Sequence, residues 1–321
     1  MSTADTTPEK TRSSPGSMSS GGRRMGDSVF SVLSIGSGLL IFVNLAAVAI
    51  FLTTESIPAV VASQEFSGTA EFSLIEYAAP LVFGTVLAAA IALIIAIPIS
   101  VGIALFISHF APRRLAAGLG YMIDLLAAVP SVVYGLWGGV WLVPKLEPLY
   151  VFLNTYFGWI PLFGGEPTAP MRNLASASVV LAVMVLPIIT SLCREIFIQT
   201  PKLHEEAALA LGATRWEMIK MTVFPFARAG IISSIMLALG RALGETMAVT
   251  MVLSQGVFSW NIISAGNKTI PSEIALNFPE AFGMRQSELI AAGLMLFIIT
   301  LIVNMIARWI VSRHKEFSGA N

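Results

Sequence analysis

Residues 238–249 read ALGRALGETMAV, and they sit inside residues 230–253, a run otherwise apolar enough to cross a bilayer. Two full charges, Arg241 and Glu245, stand near its middle. A charge at the centre of a membrane helix costs about 2.5–3.5 kcal/mol on insertion scales, so such residues face a cavity or a partner rather than lipid. A spacing of four puts both side chains on one helical face, within reach of each other. Gly240 and Gly244 make a small-xxx-small ridge beside them, where another helix can approach closely. The stretch reads as a membrane helix with its polar site turned inward, toward a second subunit.

The rest of the chain agrees on the solvent. Of its 321 residues 55% are hydrophobic and 12% charged, with mean hydropathy +0.79; soluble domains carry about 25% charged residues. Only helices and closed barrels satisfy the backbone in lipid, and long apolar runs select helices. The expected fold is all-α, a polytopic membrane protein with six transmembrane helices at about residues 29–52, 81–108, 119–143, 175–193, 230–253 and 289–311. Pro98, Pro130 and Pro187 should kink the second, third and fourth.

Charge sets the orientation. With the N-terminus inside, fourteen of the 19 Lys and Arg fall on inside segments. Lys145, Arg172, Lys268 and Arg285 fall outside, and Arg241 lies within the membrane. The first outside loop holds Glu55, Glu65, Glu71 and Glu76 without a positive charge. The positive-inside rule then places both termini in the cytoplasm. Residues 1–28, rich in Ser, Thr, Gly and Pro, read as a disordered cytoplasmic tail, and 316–321 as a short C-terminal tail. Arg23 and Arg24 ahead of an apolar run invite a signal-peptide reading, with Val60 and Ala62 as a cleavage site. The run is longer than an h-region of about 7–15 residues, which favours an uncleaved helix. In the outside loop 144–174, residues 149–163 are apolar but too short to span, so they read as re-entrant or surface-lying. The loop 254–287 is more polar and carries turn signals.

Between the fourth and fifth spans runs REIFIQTPKLHEEAALALGATRWEMIKMTVFPFARAG. Thr200 is a candidate N-cap with Pro201 at the first helical position. Residues 202–211 are helix formers, and Gly212 supplies a left-handed stop. Thr214 and Glu217 have the spacing of a capping box for a second helix from Arg215 to about Val223, which Pro225 should end. The result is a cytoplasmic helix–Gly–helix hairpin over residues 200–225.

Glu206-Ala207-Ala208, three residues, then Gly212 resembles the EAA loop of bacterial ABC importer permeases. The later Ile-x-Leu-Pro of that pattern reads Thr222-Val223-Phe224-Pro225 here, keeping Pro225 and departing at Thr222. DLLAAVPSVVYGLWG (124–138) and LALGRALGETMAVTMV (237–252) look like signatures of the PstC-type permeases of the phosphate importer. The resemblance covers roughly residues 29–315. It implies a type I ABC importer permease in the bacterial inner membrane, importing inorganic phosphate. The implied partners are a homologous PstA-type permease, two PstB-type ATPases and a PstS-type phosphate-binding protein. Glu206, Ala207, Ala208, Gly212 and Pro225 would then couple the permease to the ATPase.

Bottom-up, the fifth span allows two readings. Arg241 and Glu245 either neutralise each other and specify packing, or form a gate on the substrate path. In the second, the Arg241 guanidinium grips a multi-oxygen anion bidentately, and Glu245 holds Arg241 when the path is empty. Asp124 near a helix end suggests packing or capping, His109 a helix-dipole contact, His204 a solvent or ATPase contact. Asn44 suggests an interhelical hydrogen bond, and Cys193 a buried thiol. The sequence has no GxxxxGK[ST] loop, so ATP is expected on a partner and no cofactor on this chain. Three His and no HExxH give no membrane-enzyme motif. An ion-coupled secondary transporter would ask for internal repeats and more intramembrane carboxylates. Neither nucleic acid nor a metal is expected as a partner, and a permease for sulfate or molybdate is the alternative within the same architecture.

Overall fold

The computed structural model describes residues 25–62, 74–167, 169–254, 256 and 258–313. The expectations for residues 1–24, for the loop 63–73 with Glu65 and Glu71, and for the tail 316–321 lie outside them. Every long element is an α-helix, and the described residues contain no β-strand. Five helices among them are long and apolar enough to cross a bilayer, or six if one sharply bent pair is taken as a span.

The first helix, α1 (Met25–Ala62), starts inside the stretch expected to be a tail and runs ten residues past its expected end. The chain divides at Phe51 into two units. Within the first, Asn44 donates its amide to the Leu40 carbonyl at 3.0 Å. That satisfies one amide hydrogen within α1 itself.

In the second unit α2 (Leu74–Leu105) and α7 (Leu174–Ile198) form the most extensive helix pair. Ala88, Ala89, Ala92 and Ala96 on α2 are buried with Leu181, Met184, Val185 and Ile189 on α7. Small side chains let the two backbones approach, which is how membrane helices gain dispersion energy where lipid removes the hydrophobic drive. Ser100 donates to the Leu186 carbonyl at 3.0 Å, tying α2 to α7 beside Pro187. Asn173 caps α7 by accepting from the Ser176 N–H at 2.9 Å. A π-helical turn, Phe106–Phe110, closes the C-terminal end of α2.

The third expected span is not a straight helix. α3 (Arg113–Ala127) and α4 (Ser131–Trp137, continuing through a π turn into α5, Val143–Lys145) meet at 92°. Pro130 removes an N–H and disfavours the α region for the residue before it, which breaks the ladder instead of bending it. The Tyr134 hydroxyl bridges the break by donating to the Leu126 carbonyl at 2.8 Å. Beyond it, Gly135 and Gly139 let α4 and its π turn lie against Ala248 and Met251, with room for little more than hydrogen at Gly135.

The apolar stretch 149–163 becomes a short helix, α6 (Glu147–Phe157), followed by turns. Asn154 pins those turns by donating to the Phe163 and Gly165 carbonyls. The Tyr150 hydroxyl, fully buried, lies 2.8 Å from Ser176 Oγ. Residues 268–270 fold tightly onto α2. Lys268 packs its carbonyl on Gly84, and the Ile270 N–H donates to Thr85 Oγ1 at 2.9 Å.

Candidate coupling hairpin and gate

The hairpin forms largely where its residue pattern puts it. α8 (Lys202–Ala210) stops at Gly212, whose φ of +88° is open to glycine without strain. Thr214 caps α9 (Arg215–Met218) through a complete capping box. Glu217 N–H donates to Thr214 Oγ1 at 3.3 Å, and Thr214 N–H donates to Glu217 Oε2 at 2.8 Å. The N-cap of α8 is Pro201, not Thr200, and the Thr200 side chain caps nothing.

Pro225 does not end the second helix. Residues Ile219–Val223 form a π turn, and α10 (Phe224–Gly244) continues from it with Pro225 in its first turn. A π turn fits an extra residue and makes room where a proline ring would strike the preceding carbonyl. Arg215–Gly244 is therefore one rod of 30 residues joining the hairpin to Arg241. Phe224 locks the rod at its base, edge-on to Phe197 of α7 and to Trp216. On α8, Ala208 is buried against the bundle, while Glu206 and Ala207 are exposed. Leu203 and Leu211, 74% and 88% exposed, add apolar surface to the hairpin.

The other end of the rod differs more from expectation. α10 ends at Gly244, and Glu245 takes an extended ψ of 121° before α11 (Met247–Val252) begins. Arg241 and Glu245 are thus not paired across one helical face, and they make no ion pair. Glu245 is buried, and its Oε1 accepts the Ala248 N–H at 3.1 Å. A carboxylate on the first turn of a helix complements the dipole there, which is its local reason to turn away from Arg241. Gly244 before Glu245-Thr246, a helix stop followed by cap-type residues, is the sequence signal that could have located this break. Arg241 is exposed instead. With Ser233, Met236, Leu237 and Gly240 of α10, Ile188 of α7 and Asn304 of α13 (Met284–Arg313), it lines an open cleft of about 650 Å³. Nothing lies within 4 Å of a side chain placed at Gly240 or Gly244, so the small-residue ridge is bare in this subunit.

Most of the weaker candidates have partners. Asp124 accepts from Ser191 Oγ at 2.9 Å and lies 3.7 Å from Arg194 Nη1, which packs against Gly120. His109 does more than complement a helix end: its Nε2 is 3.5 Å from Glu205 Oε1 on α8. His204 is exposed, and Cys193 is buried with its sulfur 3.2 Å from Ser234 Oγ. A further cluster escaped sequence reasoning. Glu273, buried on α12 (Ile270–Asn277), holds Lys268 and Arg285 at 3.0 Å each, and Arg285 also meets Glu288 at 2.9 Å. Arg285 and Glu288 share the i,i+3 face of α13, but Lys268 and Glu273 reach Arg285 only through the loop and α12.

A profile of the family described as binding-protein-dependent transport system inner membrane component matches residues 96–316. The phosphate transport system permease protein PstC 2 of Mycobacterium tuberculosis is 42% identical over 297 residues, covering 89% of this chain and 91% of that protein. PstC of Mycobacterium leprae is 43% identical over 272 residues, with 81% and 85% covered. This chain belongs to the PstC family. That of Haemophilus influenzae is 36% identical over 307 residues, with 91% and 95% covered. The fold itself recurs in solved ABC importers at 16% identity. A bacterial alginate transporter matches with TM-score 0.59 over 90% of this chain and 99% of the other, and the MetNI methionine transporter with 0.51 over 75% and 96%. The family match takes in both the hairpin and the Arg241–Glu245 break, so this PstC-family chain is a permease of the ABC importer kind and a multi-pass membrane protein.

Proposed function

We propose that this chain is the membrane permease of an ATP-driven importer that moves inorganic phosphate across the bacterial inner membrane, with both termini in the cytoplasm. The observation that carries the reading is the single rod from Arg215 to Gly244. It has the exposed docking helix at one end and Arg241 in an open cleft at the other. Force applied to the hairpin reaches Arg241 without crossing a flexible joint, and the break at Glu245 lets α11 stay behind when α10 moves.

The names of the mycobacterial relatives support phosphate as the substrate. So does the chemistry of Arg241, whose planar fork of donors suits a tetrahedral oxyanion. One guanidinium is too little charge for a divalent anion, and the bare Gly240–Gly244 ridge beside it suits a PstA-type partner that brings a second cation. Glu245 acts by fixing the start of α11 rather than by competing with substrate for Arg241. Glu206, Ala207, Ala208 and Gly212 form the ATPase contact and Pro225 the stiff base of the rod. Two PstB-type subunits supply ATP binding and hydrolysis, and a PstS-type protein delivers phosphate from outside. The chain itself catalyses nothing and needs no cofactor.

The test is phosphate uptake by proteoliposomes holding this chain with its PstA-type, PstB-type and PstS-type partners. ATP-dependent phosphate uptake that excess sulfate leaves intact is expected, and Arg241→Gln in a complex of normal abundance should abolish it. Uptake of sulfate in preference would overturn the substrate, and undiminished uptake by Arg241→Gln would overturn the gate.

A further inference from the structure

The cleft beside Arg241 holds a second polar side chain whose hydrogen bonds are unmade. Asn304 of α13 lines it together with Ser233, Leu237, Gly240 and Arg241 of α10. Spacings of three and four set those four residues along one stripe of α10, with Ser233 about 12 Å from Arg241 toward the hairpin.

Elsewhere on these exposed helices a polar side chain satisfies itself on its own turn. Ser37 and Asn44 of α1 donate to the Leu33 and Leu40 carbonyls, and Thr300 and Ser312 of α13 donate to those of Phe297 and Trp309. Asn304 has the Thr300 carbonyl one turn back and does not take it. Among the described residues its exposed amide bonds nothing. Within the apolar run 289–311 an unbonded amide is costly, so it calls for a polar group that enters the cleft.

The amide offers what Arg241 cannot. A guanidinium only donates, whereas an amide donates through its N–H and accepts through its carbonyl. Inorganic phosphate near neutral pH keeps a proton on at least one oxygen, so it presents both acceptors and an O–H donor. Sulfate is fully deprotonated and presents acceptors alone. Facing phosphate, Asn304 gives an N–H to a bare oxygen and takes the P–OH on its carbonyl. Facing sulfate, that carbonyl meets a lone pair. Ser233, whose hydroxyl rests on the Ala229 carbonyl at 2.8 Å, adds a second neutral oxygen to the cleft.

We propose that Asn304 is a specificity-determining residue of the permease itself, a neutral contact that favours protonated phosphate over sulfate in the cleft beside Arg241. The inference rests on the reading of that cleft as the substrate path. Arg241 supplies the charge that draws in any tetrahedral oxyanion, and Asn304 reads the proton.

The experiment uses the complex of this chain with its PstA-type and PstB-type partners in detergent, without the binding protein, whose own selection would mask that of the permease. Leu237→Cys places a thiol in the cleft one turn from both Ser233 and Arg241, and a water-soluble maleimide labels it; the one native cysteine, Cys193, is buried. Inorganic phosphate should slow labelling of this chain, and sulfate should need about ten-fold higher concentration for the same effect, the scale of one hydrogen bond to an ion. Asn304→Leu, close to the amide in size, should bring the two anions within about two-fold of each other. Asn304→Asp keeps the acceptors and loses the N–H donors, so it should weaken protection by phosphate about ten-fold. Equal protection by the two anions in the unmodified complex, or a preference that persists in an assembled Asn304→Leu complex, overturns the inference and leaves the amide to packing against the partner permease. Unchanged phosphate protection in Asn304→Asp overturns it too, whether or not the leucine variant assembles. Protection by neither anion in the unmodified complex would instead overturn the reading of the cleft as the path.

Discussion

Gly84→Ala tests how the loop before α12 is fixed to α2, and Gly102→Ala in the same helix is its control. Both exchanges gain alanine's helix propensity, about 1 kcal/mol. At Gly102 the new methyl meets nothing within 4 Å, so that gain survives. At Gly84 it would stand 2.0 Å from the Lys268 carbonyl oxygen and 3.1 Å from the carbonyl carbon. Backbone atoms cannot rotate aside as a side-chain tip can. Helix and loop must part by well over an ångström before the methyl reaches ordinary contact at 3.4 Å. The bond from Ile270 N–H to Thr85 Oγ1, 2.9 Å long and one residue away, does not survive that separation. Overpacking costs about 1–3 kcal/mol, and an orphaned buried N–H about 1–3 more. Less the propensity gain, Gly84→Ala should destabilise by about 3 kcal/mol. Unfolding in a detergent–SDS titration, followed by tryptophan fluorescence, measures this. Trp260 is a local reporter because its ring lies edge-on to Phe83 at 5.1 Å. A Gly84→Ala protein within about 0.5 kcal/mol of Gly102→Ala would refute the packing argument.

Three further outcomes follow from the site. Glu245→Gln keeps an oxygen for the Ala248 N–H and should cost below about 1 kcal/mol of stability, whereas Glu245→Ala removes the acceptor and should cost about 2. Equal, severe losses in SDS unfolding would restore a charge pair with Arg241. Thr214→Val deletes the capping box, about 1 kcal/mol, and should speed amide exchange in residues 215–218 by roughly five-fold. Unchanged exchange there would mean that packing of Trp216 on Phe224 holds the helix start alone. Glu273→Gln leaves Lys268 and Arg285 facing a neutral amide; because both cations are partly exposed, the loss should be about 1–3 kcal/mol and shrink with added salt. A salt-independent loss would assign Glu273 a purely steric role.

Much of the site was legible in the residue pattern. The hairpin's stop and second cap follow from Gly212 and from the Thr214–Glu217 spacing, because each is satisfied within a few residues of backbone. Arg241 could be singled out because the cost of a charge in lipid depends on depth in the run, which hydropathy reports. The pairing of Arg241 with Glu245 could not be read the same way. Spacing of four implies contact only if the helix is unbroken, and Gly244 ends it between them.

The sequence by itself determined that the chain is a helical membrane protein, roughly where its spans lie and where its helix–Gly–helix hairpin turns. Those properties follow from local composition: transfer free energy along the run, cap chemistry and the sign of flanking charge. Tertiary structure decided the rest. It turned Pro225 from a helix end into the base of a continuous rod, because a π turn upstream made room for the ring. It bent the third span by 92° at Pro130 and closed the gap with Tyr134. It also brought His109, on the π turn after α2, to Glu205 on α8, and Arg285 on α13 to Glu273 on α12. Contacts of this kind depend on how helices cross, and no periodicity in a single chain encodes that directly.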